Sequence, residues 1–225
     1  MLVLSLALAA IFSWRVFAFY RQIQAGEIDP GTYGLSKPST EVALAAVVAN
    51  AKGSGKIATS DDPSIGSVDA RVTIVEFGDF GCPYTRQESF VVRALAKAFP
   101  NDVRVIYRDF PIEELHDGAE RAAISGTCAE EQGKFWEFHD AVFTSQDLSE
   151  EGIGDVVHTL GLDVDAFLAC ANKAMTRAEM ESDLADGLDL DVKGTPTFFV
   201  NGEKIEGAVP FDLFTKLIQA FLVKV

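Results

Sequence analysis

Residues 81–85 read Gly-Cys-Pro-Tyr-Thr and carry one thiol, Cys82, where a redox pair would need two. In a Cys-x-x-Cys pair, one thiolate attacks a substrate disulfide and the second thiol releases the resulting mixed disulfide. Thr85 occupies the place of that second thiol, and a hydroxyl group cannot resolve a disulfide. The motif therefore predicts a nucleophile, Cys82, that needs a thiol from elsewhere to be released.

The residues around Cys82 predict a strand before it and a helix after it. Val72–Phe77 (VTIVEF) is a β-branched run typical of a buried strand. Residues 83–99 follow helical spacing, with a proline in the first turn. Cys82 would then lie at a helix N-terminus, where backbone amides and the helix dipole stabilise a thiolate. The alternative is a small, buried and unreactive residue in a strand–helix turn.

Two ionisable residues are candidates for chemistry near the thiol. Glu76 lies in the predicted strand among buried residues, where desolvation would raise its pKa. It would then transfer protons to and from the thiol directly or through water. The alternative is that Glu76 faces solvent at the strand end. His116 either lies near Cys82 or simply begins the helical stretch that follows.

A second motif, Gly194-Thr195-Pro196-Thr197, precedes an apolar strand. A proline at the start of a strand fits a cis Thr195–Pro196 bond, although a trans proline on an edge strand would look the same. Opposite Cys82, a cis proline would expose the Thr195 backbone to an extended substrate peptide. The predicted substrate-binding residues are Pro83, Tyr84, Thr195 and Pro196.

The other cysteines, Cys128 and Cys170, lie 42 residues apart in a helical stretch. A disulfide between them would add roughly 4 kcal/mol in the chain-entropy model. An odd cysteine count in an exported protein suggests one structural pair and one free thiol, although two ordinary buried thiols remain the alternative. The three histidines share no ligand spacing with each other or with a cysteine. The sequence therefore predicts no metal site and no cofactor.

The globular part of the chain reads as strand, helix, strand, helical block, hairpin and helix. The second strand is Val103–Tyr107, four or five helices fill about residues 113–190, and Asn201-Gly202 predicts a tight hairpin turn. This order predicts an α/β domain, residues 67–225, with a helical domain inserted between two halves of a mixed sheet.

The N-terminal residues predict attachment to a membrane. Residues 1–21 are mostly apolar and suit a membrane anchor or signal segment, since about 20 residues span a bilayer. An amphipathic helix packed on the domain is an alternative. Arg15 and Arg21 favour a cytoplasmic domain by the positive-inside rule, whereas the cysteines favour an extracytoplasmic one, periplasmic or at the cell surface. Residues 22–66 have the composition of a linker.

Four segments resemble the DsbA-like thiol–disulfide oxidoreductases, in particular the bacterial, often membrane-anchored group called thioredoxin-like fold 4. They are VTIVEFGDFGCPY, VRVIYRDFP, CAEEQGKFWEFHDAVF and GTPTFFVNGEKIEGAVP. The resemblance covers about residues 62–225. It implies a thioredoxin fold with an inserted helical domain, a nucleophile at Cys82, a cis proline at Pro196 and a buried acid at Glu76.

The resemblance also bears on the remaining cysteines and on Thr85. Many relatives carry cysteines that match Cys128 and Cys170 and form a bridge across the helical domain. Family members that donate disulfides store one between two motif cysteines, and Thr85 makes that impossible here. The oxidase activity of the family is therefore not carried over intact.

Three functions fit a single active thiol. Cys82 would exchange disulfides with polypeptides and be released by a small thiol or a membrane redox partner. Alternatively, the chain binds extended polypeptides or traps them as mixed disulfides without turnover, or Thr85 marks a disabled variant of an oxidase. The formal net charge of −15 argues against a nucleic-acid partner, because phosphate binding requires clustered Lys and Arg.

Overall fold

The computed structural model describes residues 57–223. The predictions for the apolar segment and for most of the linker therefore lie outside the described residues. Within residues 57–223, no helix is long and apolar enough to cross a membrane.

Five strands and seven helices make up the described part of the chain. The strands are β1 (Ser64–Gly66), β2 (Val72–Gly78), β3 (Val103–Asp109), β4 (Thr197–Val200) and β5 (Glu203–Glu206). The helices are α1 (Pro83–Ala98), α2 (Ala119–Glu130), α3 (Phe135–Ser145), α4 (Glu150–Thr159), α5 (Val164–Ala171), α6 (Ala174–Asp189) and α7 (Phe211–Val223). The predicted order of elements is confirmed, and five helices, α2 to α6, separate β3 from β4.

The strands form one mixed sheet in the order β1-β3-β2-β4-β5. β2 and β3 are parallel, and the other pairs are antiparallel. The sequence did not predict β1, in which Ser64 pairs with Ile106. The sheet thus begins inside the segment predicted as linker, because three residues carry too little periodicity to indicate a strand.

Both faces of the central strands are buried, which explains their continuous apolar runs. Val72 and Ile74 of β2 pack with α1 and α7, through residues such as Leu95. Val75 and Phe77 pack on the other face, together with side chains at the end of α6. Because successive side chains of a strand point to opposite faces of the sheet, Glu76 shares a face with Val72 and Ile74 and not with Val75 and Phe77.

The hairpin between β4 and β5 turns at Asn201 and Gly202, as predicted. Both residues have positive φ, 48° and 89°, as a type I′ turn requires. The Asn201 side chain accepts a hydrogen bond from the Thr73 amide and donates one to the Arg71 carbonyl oxygen. The turn therefore also fastens the hairpin to the start of β2.

The helical insertion has its own apolar core and its own covalent link. α2, α3, α4 and α5 pack around aromatic residues that include Phe135, Phe138 and Phe143. Cys128 of α2 and Cys170 of α5 form a disulfide within this core. The predicted pairing is confirmed, and the alternative of two ordinary buried thiols is wrong.

A buried ion cluster joins β3, α6 and the first described residues. The Arg108 guanidinium donates to Asp183 at 2.9 and 2.5 Å and to Asp186 at 2.8 Å. It also lies 3.3 Å from Asp62 and donates to the Ile57 carbonyl oxygen at 3.2 Å. The cluster thus holds α6 and the segment before β1 against one face of the sheet.

Candidate functional site

Cys82 lies in the turn between β2 and α1. Its amide donates to the carbonyl oxygen of Asp79, and its extended backbone (φ −77°, ψ 124°) places it directly before Pro83, the first residue of α1. The residue is only 5% exposed, and it is the one cysteine that is not in a disulfide. The predicted position at a helix N-terminus is confirmed.

The second motif, residues 194–197, follows the helical insertion in sequence and lies against this turn in the fold. The Thr195–Pro196 peptide bond is cis, as predicted, and Pro196 directly precedes β4. The Cys82 thiol donates a hydrogen bond to the Thr195 carbonyl oxygen, with 3.2 Å between the two atoms. The fold therefore brings together two motifs that lie 113 residues apart.

Thr85 is fully buried in the first turn of α1. Its hydroxyl oxygen accepts a hydrogen bond from the Asp79 amide at 3.4 Å, which ties the helix to the turn.

Cys128 and Cys170 are bonded to each other, so neither offers a thiol to Cys82. All three cysteines lie in the described residues, and Cys82 has no second thiol in its own chain.

Glu76 is fully buried, so the alternative of a solvent-facing carboxylate is wrong. Among residues 57–223, neither of its oxygens has a hydrogen-bond partner. Burial raises the pKa of Glu76 to about 8, and the nearby charge of Glu88 adds to the rise. At neutral pH the buried side chain is therefore mostly protonated.

Glu88 is a second buried acid that the sequence analysis did not single out. Burial raises its pKa to about 7, although the Val209 amide partly offsets the rise. The signal in the sequence is its position on α1, since the buried residues of this helix recur at helical spacing. They are Thr85, Glu88, Ser89, Val92, Leu95 and Ala96.

Tyr107 completes this buried polar group. It is paired with Glu76 across β2 and β3, and its hydroxyl has no hydrogen-bond partner among the described residues. Burial raises its pKa well above the usual value, and the charges of Asp109, Glu76 and Asp79 add to this. Its ring lies so close to Gly78 that a Cβ there would approach it to 2.5 Å, so glycine permits the contact.

Asp79 fixes His116 beside the active turn. Its carboxylate accepts hydrogen bonds from the amides of Gly81 at 2.7 Å and Ile112 at 2.9 Å. The same carboxylate lies 2.7 Å from Nδ1 of His116. His116 packs directly against Gly81, the residue before Cys82. His116 thus lies beside the turn that carries Cys82, and a role for it in the chemistry of the thiol stays a prediction.

Two openings lie near the active turn, one lined by Cys82 and the other by Thr195, and they share no lining residue. A cavity of about 500 Å³ is lined by Cys82, Pro83 and residues of the helical insertion. A shallow groove of about 250 Å³ is lined by Thr195, Pro196 and the neighbouring strand ends. Tyr84, 63% exposed, and Leu115, 73% exposed, present apolar surface near the turn.

Among residues 57–223, no three His, Cys, Asp or Glu side chains are grouped so that they could hold a metal ion. The groups available for chemistry are one thiol, several buried carboxyl groups and the Thr195 carbonyl oxygen that the thiol contacts.

Comparison with known proteins places this arrangement in context. A family model described as thioredoxin matches residues 58–220. A thioredoxin-like oxidoreductase from Silicibacter pomeroyi superimposes with a TM-score of 0.70 at 28% identity, over 78% of this chain and 100% of that one.

Two further solved structures share the fold at lower identity. The thiol-disulfide exchange protein alpha-DsbA2 from Wolbachia pipientis has a TM-score of 0.68 at 22% identity, over 82% of this chain and 98% of that one. A periplasmic thioredoxin-like protein from Salmonella enterica has a TM-score of 0.65 at 20% identity, over 84% and 99% of the two chains.

Curated relatives match in sequence over one region only. The Na⁺/H⁺ antiporter NhaA 1 of Salinispora arenicola is 39% identical over 160 residues, which is 69% of this chain. The match covers 24% of that antiporter, so the chain spans about a quarter of the length of this relative.

Proposed function

The chain belongs to the thioredoxin family, and on that basis we propose that it is a DsbA-like thiol–disulfide oxidoreductase in which Cys82 exchanges disulfides with polypeptides without a second active-site cysteine. The observation that carries the proposal is the hydrogen bond of the Cys82 thiol to Thr195, beside a cis proline. A nucleophile and a strand-like backbone edge lie within reach of one extended peptide.

The exchange proceeds in two steps that conserve electrons. The Cys82 thiolate attacks one sulfur of a substrate disulfide, forms a mixed disulfide and expels the other sulfur as a thiolate. An external thiolate then breaks the mixed disulfide and frees one of its two sulfurs. Because Thr85 cannot take part in the second step, the rate of turnover depends on the external thiol.

In this proposal Glu76 transfers protons to and from the sulfur atoms that react. The protonated Glu76 carboxyl donates its proton, directly or through water, to the thiolate that leaves, and the resulting carboxylate accepts the proton of the Cys82 thiol when Cys82 ionises again. The raised pKa of about 8 supports this role, because a group transfers protons most effectively when its pKa lies near the ambient pH. Thr85 itself maintains the turn through its bond with the Asp79 amide.

We place this activity in an extracytoplasmic domain, anchored by the N-terminal apolar segment. The Cys128–Cys170 disulfide supports this placement, because structural disulfides persist in oxidising compartments. The substrates are polypeptides that carry thiols or disulfides, and the releasing partner is a small thiol or a membrane redox protein.

The experiment compares three proteins on a scrambled disulfide substrate with glutathione: the unchanged chain, Cys82→Ser and Thr85→Cys. We expect the unchanged chain to catalyse reshuffling only when glutathione is present and Cys82→Ser to be inactive. Thr85→Cys should gain oxidation of a reduced substrate, because it can store a disulfide.

Two outcomes would replace the proposal. Stable mixed disulfides on a non-reducing gel, with no turnover in glutathione, would identify a trap. Activity in Thr85→Cys but none in the unchanged chain would identify a disabled oxidase.

A further inference from the structure

We propose that the cavity beside Cys82 binds the small thiol that releases the mixed disulfide, and that this thiol carries both a carboxylate and an ammonium group. The inference rests on the proposed function. It adds a binding site and a ligand class to the external thiol on which that function depends.

The cavity has the size and the position for such a ligand. Its volume of about 500 Å³ is within the usual range for small-molecule sites. Cys82 and Pro83 line one part of it, and the segment 146–149 between α3 and α4 lines another. Because Thr195 and Pro196 line the other opening, a peptide bound along them leaves this cavity free.

Arg86 lines the cavity and forms no ion pair with a carboxylate among residues 57–223. Its guanidinium donates to the carbonyl oxygen of Phe143 at 2.9 Å and to the side-chain oxygen of Gln146 at 2.6 Å. Both acceptors are uncharged, and Nη2 makes no hydrogen bond to residues 57–223. These bonds hold the guanidinium in place while leaving a donor for a ligand carboxylate, which is the partner it binds best.

Two acidic side chains on the same cavity provide the complementary charge. Asp117 and Asp147 line it, and within the described part of the chain neither forms an ion pair. Asp147 is held by Ser149, whose hydrogen bonds lower the pKa of its carboxyl and keep it ionised. A ligand with an ammonium group as well as a carboxylate meets a partner for each, which is the charge pattern of an amino-acid thiol.

The position of the site defines the chemical step. The bound thiolate attacks the Cys82 sulfur of the mixed disulfide, forms a new disulfide with Cys82 and expels the peptide sulfur as a thiolate. A second small thiolate then attacks the sulfur of the first, which gives a small-molecule disulfide and the Cys82 thiolate. Two small thiols are oxidised, and one substrate disulfide is reduced.

The test measures release of a fluorescent peptide held on Cys82 as a mixed disulfide. Four thiols are compared: cysteine, with both charges; 3-mercaptopropionate, with only the carboxylate; cysteamine, with only the ammonium group; and uncharged 2-mercaptoethanol. Each thiol is also reacted with a reference compound, in which the same peptide is joined by a disulfide to N-acetylcysteine amide. The rate on the protein is divided by the rate on this compound, which removes differences in intrinsic reactivity among the thiols.

We expect cysteine to release the peptide about tenfold faster than 2-mercaptoethanol after this correction, because charge-assisted hydrogen bonds of this kind contribute about 1.4 kcal/mol or more. Arg86→Gln should abolish the advantage of the two thiols that carry a carboxylate and leave cysteamine and 2-mercaptoethanol unchanged. Asp117→Asn combined with Asp147→Asn should affect cysteine and cysteamine instead. Arg104→Gln is the matched control, since Arg104 also lacks an ion pair among residues 57–223 but lies on β3, outside the cavity.

Equal corrected rates for all four thiols, or an Arg86→Gln variant that slows every thiol alike, would overturn the inference and leave the proposed function intact. Failure of every thiol to release the peptide would instead contradict the proposed function.

Discussion

The Cys82 thiol and the Thr195 carbonyl oxygen are joined by a hydrogen bond of 3.2 Å, although the helical insertion separates them in sequence. The nucleophile is therefore held against the backbone that a substrate peptide would pair with. Under the proposed function, a peptide that pairs with the Thr195 backbone would place its own sulfur beside Cys82. The inserted helices supply the opposite wall of the site.

Replacement of Glu76 by glutamine should remove a pH-dependent loss of stability. The folded-state pKa of about 8 is above the unfolded value of 4.5, so stability is fully present at acid pH and falls as the pH rises between these values. The total loss is on the order of 5 kcal/mol. Glu76→Gln should therefore match the unchanged chain near acid pH and exceed it at alkaline pH in urea unfolding.

Glu181→Gln, which changes an exposed carboxylate of α6, is the control and should leave the pH profile of the unchanged chain intact. Parallel profiles for Glu76→Gln and the unchanged chain would show that Glu76 does not carry this dependence.

Replacement of Glu88 by glutamine should lower the pKa of Glu76. Burial alone keeps that pKa raised, and the charge of Glu88 raises it further, so the amide removes only the second contribution. A carboxyl carbon NMR titration measures the midpoint directly. An unchanged or higher Glu76 midpoint in Glu88→Gln would contradict the coupling of these two acids.

Removal of the disulfide by Cys128→Ala combined with Cys170→Ala should lower the free energy of unfolding by about 2–4 kcal/mol, because the bridge closes a long loop in the unfolded chain. Formation of the Cys82 mixed disulfide should persist, since the bridge lies in the core of the insertion. Cys82→Ala is the control for stability. Equal unfolding free energies with and without the bridge would show that it has no structural role.

Arg108→Met should destabilise the chain by about 3–5 kcal/mol near neutral pH, because it leaves the buried carboxylates of Asp183 and Asp62 without their cation. Burial already raises the pKa of Asp183 to about 6. Protonation at lower pH should therefore recover much of the lost stability. Urea unfolding at about pH 5 and about pH 8 measures the difference, with Arg104→Gln as the control. An equal loss at both pH values would contradict this electrostatic account.

The sequence predicts the elements whose pattern is local. β2, β3, α1 and the hairpin were found within one or two residues of their predicted bounds, since each has a clear period or a specific turn. The cis bond at Pro196 was predicted from a proline at the start of a strand, and the Cys128–Cys170 pair from the odd cysteine count; the resemblance implied both as well.

The rest of the site depends on contacts that no local pattern carries. Asp79 holds His116 across 37 residues, and Arg86 reaches Gln146 across 60. From the sequence alone, Glu88 cannot be distinguished from a solvent-exposed glutamate on a helix, because its burial depends on which face of α1 packs against the core. Each of these residues gains its environment from the inserted helices or from packing, so the sequence alone could not assign its role.

The most direct test of the central claim is the intact mass of the protein after reaction with a peptide disulfide. The account predicts one peptide adduct, on Cys82, that persists until an external thiol is added, and a Thr85→Cys variant that loses the adduct without such a thiol. The absence of any adduct on Cys82, or its spontaneous loss from the unchanged chain, would contradict the account.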